Sequence, residues 1–346
     1  MILVTGGTGL VGSHLLYKLV KKGFKVRAIY RSKKKLDAAR HVFSYYSNQV
    51  EAIFSKIDWV EAHLNDIPAL TKAFKNITKV YHCAALVSFD PNEYYTLRKV
   101  NIEGTANIVN LCLANNIEKL CYVSSIAAIG HGEPNDNIIT ESTNWFPEDD
   151  HNVYAITKYG AEIEVWRGVQ EGLDVVIVNP GFIFGPGFWK TSSGNLFKKI
   201  YKGLKYYTNG VSGYVDIDDV VNSMLLLMDS TIKNERYILV SENLSFKEFA
   251  TKTAEAFKVK PPEKEVSKIL LQIVWRIDWL NHFIRRKRRK LSKQMAKSIT
   301  ENHFYSNKKV IEDLGIKFKS TDESINQTCQ FFLSELGKYN LYSVFS

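Results

Sequence analysis

The chain has 346 residues, of which 45% are hydrophobic and 24% charged, so it can bury a sizeable core and is neither a disordered nor a low-complexity segment. Its formal net charge of +10 admits nucleic acid, anionic lipid or a phosphorylated ligand as partner, but no nucleic-acid module is recognisable and none is expected to bind. Cys83, Cys112, Cys121 and Cys329 lie far apart with no C-x-x-C pair. That spacing excludes a disulfide frame and predicts reduced thiols in a cytoplasmic protein, with no metal expected.

Ile2, Leu3 and Val4 are a short apolar run, read as a buried strand that starts too early to leave room for a signal peptide. Thr5-Gly6-Gly7-Thr8-Gly9 breaks it, and helical apolar spacing runs from Leu10 to Lys22. Strand, glycine turn and helix together make a dinucleotide cradle. Gly6 permits the tight turn, Gly9 lets backbone approach a pyrophosphate, and Gly12 lets helix pack on strand. The free N–H groups at the helix start, around Leu10 and Val11, would face the phosphates.

Lys25 to Tyr30 reads as the second strand. An acid at its end would favour NAD through the ribose hydroxyls; here Arg31 follows, then Ser32 and three lysines. A guanidinium suits the 2′-phosphate of NADP, so NADP is favoured and NAD is the alternative. Further strands are expected at Trp59–His63, Thr78–Cys83 (ending in Ala84 and Ala85), Lys119–Ser124, Asp174–Asn179 and Tyr237–Val240. Helices are expected at 66–74, 94–115 and 154–170. This alternation predicts an α/β doubly wound parallel sheet of about seven strands, with ligands beyond the carboxyl strand ends, where Gly6, Arg31, Ala84 and Ser125 all fall. The polar stretch 130–153 reads as a loop or lid. After Pro180 the breakers multiply, and a smaller, mostly helical substrate-binding region is expected over 181–212 and 241–346, with 1–180 and about 213–240 forming the nucleotide-binding domain.

Tyr154 and Lys158 are one turn apart on one face of a predicted helix. A phenol is a poor base at neutral pH; a nearby ammonium favours the phenolate and brings it toward acid/base use. Ser125, a hydroxyl at a strand end, can donate to a substrate oxygen whose charge changes during hydride transfer.

The stretches TGGTGLVG at 5–12, VYHCAALVS at 80–88, VNIEGTANIV at 100–109, YVSSIAAIG at 122–130, YAITK at 154–158, NPGFIFGPG at 179–187 and YVDIDDVV at 214–221 resemble the extended short-chain dehydrogenase/reductases, the NAD-dependent epimerase/dehydratase group, over nearly the full length. By that resemblance Tyr154 is the general acid/base, Lys158 lowers its pKa and holds the nicotinamide ribose, Ser125 orients the substrate oxygen and Asn101 braces the proton relay. It also implies nicotinamide contacts from Pro180 and Ile183. Two departures stand out. Where the family usually has an acid that touches adenine, this chain has His63-Leu64. The acidic pair that sugar dehydratases carry after the catalytic hydroxyl is replaced by Ile126-Ala127, so dehydration is set aside.

Arg31, the AALVS stretch and the basic late region most resemble dihydroflavonol-4-reductase-like proteins and their 3β-hydroxysteroid dehydrogenase relatives. That resemblance implies carbonyl reduction with NADPH on a small-molecule substrate. A nucleotide-sugar 4-epimerase using retained NAD and a non-catalytic NADP-sensing regulator are the alternatives. Phe89, the Phe182–Trp189 stretch and the late helices are expected to wall the pocket, and a homodimer through 94–115 and 154–170 is possible. Ile269 to Ile284 is too short and too charged to span a bilayer. It is expected to cap the pocket, followed by a solvated basic turn at Arg285–Lys290, with peripheral membrane contact through 269–290 as the alternative.

Overall fold

The protein was analysed as a computed structural model, which describes residues 1–132, 138–285 and 291–343. Seven strands form one sheet: β1 (Ile2–Thr5), β2 (Val26–Tyr30), β3 (Asp58–Glu61), β4 (Lys79–His82), β5 (Lys119–Val123), β6 (Val175–Pro180) and β7 (Glu235–Leu239). Their order is β7-β6-β5-β4-β1-β2-β3, with every pairing parallel. Order reverses at β1, between β4 and β2, so a crevice opens above the carboxyl end of β1.

The inner strands are short, largely apolar runs because both faces are covered, whereas the edge strand β3 has Asp58 and Glu61 exposed at its ends. Val4, Cys121, Val176 and Val178 face one layer, which holds Leu15, Leu16 and Leu19 of α1 (Leu10–Lys21). Their neighbours Leu3, Leu120, Val175 and Ile177 face the other layer. There they meet Ile108 and Val109 of α2 (Gly104–Ala114) and Ala161 and Val165 of α3 (Val153–Gln170). The period-2 alternation therefore sorts side chains between two cores rather than between core and solvent.

The helical pattern expected over 94–115 is continuous but contains a π turn at Arg98–Glu103, just before α2. Such turns re-aim side chains within a helix, and this one carries Asn101. Asn152 caps α3, accepting the Ala155 N–H at 2.9 Å.

Beyond Pro180, Phe182–Phe184, Val211–Asp216 and Glu242–Ser245 form a second, three-stranded sheet. Its first and last strands were not legible, being only three and four residues long beside chain breakers. Phe184, Phe197, Phe249, Phe257 and Phe332 form the aromatic core beneath it. Asp216 caps α4 (Ile217–Asp229), accepting the Asp218 N–H at 2.7 Å.

Within the stretch 130–153, the part from residue 138 onward is more firmly held than a lid. Ile138–Ile139 pairs with Phe304–Tyr305, and Glu141 accepts the Arg236 Nε–H through its carbonyl and the Ile238 N–H through its carboxylate, both at 2.8 Å.

The helix α5 (Lys268–Arg285) does not cap a pocket with its apolar side. Leu271 is buried, but Ile269, Ile273, Ile277, Trp279, Phe283 and Ile284 are exposed, Ile269 and Phe283 by 75% each. The rest of the basic run, Arg286 to Lys290, lies outside the described residues. Among the described residues no helix is long and apolar enough to cross a membrane.

Candidate active site

The glycine turn sits where the sheet order reverses. Gly6 has φ +69°, and a Cβ there would lie 2.7 Å from the Ala84 nitrogen. The end of β4 is therefore pressed against the turn, with Ala85 exposed beside it. A Cβ on Gly12 would lie 2.2 Å from the Gly6 carbonyl oxygen, so helix and turn touch backbone to backbone. Gly9 differs: its nearest neighbour would be the Gly6 oxygen at 3.4 Å, an ordinary contact. It caps α1 with no side chain on the helix end. The first helical bond is donated by Ser13 to Gly9, so the Leu10, Val11 and Gly12 N–H groups have no partner within the helix. No acid sits in that first turn. A glycine the protein's own packing does not require, over free donors at a positive helix end, fits an anionic pyrophosphate.

Arg31 is exposed at the carboxyl end of β2 and makes no hydrogen bond or ion pair with the described residues. The three lysines after it form a short 3-10 turn with no buried residue. His63 accepts the Asn65 N–H at 3.2 Å, so its imidazole shapes its own loop. Leu64 is buried, and a Cβ on Gly104 would lie 2.8 Å from its Cβ. That packing brings α2 against the loop after β3.

Ser125 and Tyr154 meet. The Ala127 N–H donates to Ser125 Oγ at 3.2 Å, which leaves the serine proton for the Tyr154 phenol oxygen. Burial raises the phenol above its ordinary pKa, and the Ser125 bond opposes that rise. The Phe89 ring meets Tyr154 edge-on, centroids 5.4 Å apart. Of the other expected pocket residues, Phe184 is buried in the aromatic core and Trp189 donates to Glu335 at 2.8 Å. Both hold the second region together.

Lys158 is 1% exposed. Its ammonium donates to the Tyr122 hydroxyl at 2.7 Å and the Val123 carbonyl at 2.9 Å, which leaves one of its three donors. Burial lowers its pKa to about 7, against the opposing field of Glu162. The lysine is thus engaged with β5, and the contact that favours the phenolate is Ser125.

Asn101 binds the backbone after β4 with both ends of its amide. Its oxygen accepts the Leu86 N–H at 2.8 Å, and its nitrogen donates to the Leu86 carbonyl at 3.0 Å and to Thr157 Oγ1 at 3.2 Å. It fixes the Ala84–Val87 segment against α3. Pro180 ends β6 and is buried; Ile183, three residues on, is partly exposed in the second sheet.

Two features were not foreseen. Glu162 is 1% exposed, and it continues the line of Tyr154 and Lys158 at the next turn of α3. Its carboxylate accepts from Ser124 Oγ at 2.5 Å, Asn179 Nδ2 at 2.9 Å and Arg236 at 3.0 Å. The i, i+4, i+8 spacing was the available signal. A buried chain also joins Thr5 Oγ1 to His82 Nδ1 at 2.6 Å and His82 Nε2 to Thr105 Oγ1 at 3.0 Å. Burial, with the Lys158 charge, lowers the His82 pKa to about 3, so the imidazole is neutral and serves as a strut beneath the glycine turn.

Comparison with known proteins agrees with this geometry. Residues 2–239 match the model of the NAD dependent epimerase/dehydratase family. A putative dihydroflavonol 4-reductase of Synechocystis is 32% identical over 251 residues, covering 70% of this chain and 68% of that protein. Cinnamoyl-CoA reductase 1 of Petunia hybrida is 27% identical over 248 residues, 69% of this chain and 72% of that one. The crystal structure of gox2253 superposes with a TM-score of 0.80 at 26% identity, covering 97% of this chain and 98% of that one. The chain belongs to the NAD dependent epimerase/dehydratase family and is an NAD(P)-dependent oxidoreductase.

Proposed function

We propose that the protein interconverts a small-molecule carbonyl and its secondary alcohol with NADP(H). The observation that carries this reading is the hydroxyl pair of Ser125 and Tyr154, placed one helical turn from the buried Lys158. Reduced nicotinamide, when bound, supplies the hydride. Tyr154 protonates the carbonyl oxygen as charge builds there, and Ser125 holds that oxygen by donating to it. Lys158 keeps its remaining donor for the ribose and adds positive charge beside the phenol. Gly9 and the free donors of α1 take the pyrophosphate, and Arg31 takes the 2′-phosphate. The resemblance to dihydroflavonol and cinnamoyl-CoA reductases supports reduction, and Phe89 against Tyr154 supports an apolar or ring-bearing substrate.

The test is titration with NADPH and NADH, then a carbonyl and sugar-nucleotide panel on wild type and Tyr154→Phe. The expected result is NADPH consumption with carbonyl compounds that Tyr154→Phe abolishes. Sugar interconversion without net cofactor use would assign a 4-epimerase instead. Cofactor binding without turnover of any panel member would assign a sensor.

The other partners follow from exposed apolar surface. Tyr95, Ile156 and Ile163 on the helices expected to dimerise are exposed and support a homodimer, which light scattering would report as twice the chain mass. The exposed side of α5 supports peripheral membrane contact over the pocket cap that its sequence led us to expect. Wild type should pellet with anionic vesicles at low salt and Phe283→Asp should not; equal behaviour of the two would remove the helix from consideration. Four free cysteines support a cytoplasmic location.

A further inference from the structure

Three histidines and two carboxylates converge away from the nucleotide crevice, where the loop between Ser125 and Tyr154 meets the segment around residue 302. His131 Nε2 and His151 Nδ1 are 3.3 Å apart. Ligand atoms of His131, Asp149 and His151 all lie within 4.8 Å of one another, and the same holds for His131, Glu301 and His303. The His131 and His303 rings are 5.2 Å apart.

The 3.3 Å separation has two explanations: an imidazole–imidazole hydrogen bond, or the edge of a coordination tetrahedron. Two nitrogens each 2.0–2.1 Å from a tetrahedral zinc ion are about 3.3–3.4 Å apart. The surroundings of His151 favour a ligand. Its Nε2 lies 2.9 Å from the Phe146 carbonyl, which can only accept, so Nε2 carries the proton and Nδ1 presents a bare lone pair toward His131. A metal-bound histidine commonly donates its second nitrogen to a backbone carbonyl in this way. The ring is also fixed: Trp145 stacks on it with centroids 3.6 Å apart, and Trp145 stacks in turn on Tyr159 of α3 at 4.3 Å. On the His131 side, a Cβ on Gly130 would lie 1.6 Å from the Asn144 oxygen, so the two limbs of the loop are in backbone contact beside the cluster.

We propose that His131, Asp149 and His151 bind a zinc-type divalent transition metal, with a fourth position open to water or to the neighbouring His303 and Glu301. Two imidazoles and one carboxylate are a donor set suited to zinc. The carboxylates of Asp149 and Glu301 supply the countercharge. The site ties together both limbs of the loop. His131 follows the turn that carries Ser125, and His151 precedes the Asn152 cap of the helix that carries Tyr154. Its role is to set the distance between those two hydroxyls.

The test uses the whole chain purified without a histidine tag, stripped with chelator and titrated with zinc or cobalt ions alone. One equivalent of zinc per chain by elemental analysis, and a tetrahedral cobalt spectrum, are expected. His131→Ala and His151→Asn should each weaken binding at least tenfold, while His41→Ala, remote from the site, should leave it unchanged. Circular dichroism separates metal loss from misfolding, and His151→Asn preserves a polar loop if the alanine variant fails to fold. Equal metal content in wild type and His131→Ala, or no retained zinc in wild type, overturns the proposal. Loss on His303→Ala with none on His151→Asn overturns this ligand set.

Discussion

The Lys158 ammonium and the Tyr122 hydroxyl are 2.7 Å apart, both side chains buried, and the lysine also lies over the tyrosine ring, 4.5 Å from its centroid. Burial lowers the lysine pKa to about 7, so the free protein exchanges this charge in the physiological range. The ammonium is the form proposed to assist Tyr154. The kcat/KM for cofactor, which reports the free enzyme, should therefore fall as pH rises through about 7. A profile flat from pH 6 to 9 would show that Lys158 remains charged throughout.

The same burial predicts a trade of stability against activity. The folded-state pKa of Lys158 lies below its ordinary 10.5, so charging it opposes folding. The penalty is full below about pH 7, and stability from this group rises with pH between about 7 and 10.5, where the unfolded chain binds the extra proton. Lys158→Met should abolish turnover yet stabilise the protein by about 1–3 kcal/mol at pH 6, with the gain fading toward pH 10. Loss of stability at pH 6 would show that the Tyr122 and Glu162 contacts outweigh desolvation.

Glu162 acts on the same lysine from the next turn. Its carboxylate raises the Lys158 pKa against burial and pairs with Arg236 at 3.0 Å. Glu162→Gln keeps the shape and the Ser124 bond but removes the charge. The alkaline fall in kcat/KM should move to lower pH, and stability should drop by about 3–5 kcal/mol because Arg236 loses its ion partner. A stability loss with an unmoved pH profile would make Glu162 purely structural.

The sheet was legible because most of its strands are apolar runs between turn signals, and the crevice followed from strand alternation. The glycine turn and the shared helix face of Tyr154 and Lys158 were legible because each is a matter of local spacing along one turn or one helix. What escaped depends on chain crossings. Tyr122 and His82 read as ordinary strand residues until β4 and β5 lie side by side. His131, Asp149 and His151 are joined only when the loop closes on itself. The exposure of α5 escaped because an apolar period reports that a face exists, not what covers it.

The three cradle glycines should separate experimentally. Gly6→Ala forces a side chain to φ +69° and into the Ala84 backbone, and Gly12→Ala into the Gly6 carbonyl, so each should cost about 2–4 kcal/mol of stability. Gly9→Ala meets nothing closer than 3.4 Å and should melt within about 0.5 kcal/mol of wild type. It should still bind dinucleotide at least tenfold more weakly, because its methyl occupies the space above the free donors. Unchanged affinity in Gly9→Ala would move the pyrophosphate elsewhere.

Arg31 gives the sharpest test of cofactor choice, since it is exposed and has no partner among the described residues. Arg31→Ala should therefore leave the melting temperature unchanged. A charge-assisted bond to the 2′-phosphate contributes about 1.5–3 kcal/mol, so NADPH affinity should fall about ten- to hundredfold while NADH affinity holds. Raising salt should narrow the gap between wild type and variant, because an exposed ion pair is screened. Equal loss for both cofactors would assign Arg31 to the adenine or the pyrophosphate. No loss for either would shift the 2′-phosphate to the lysines at 33–35, which follow that strand end.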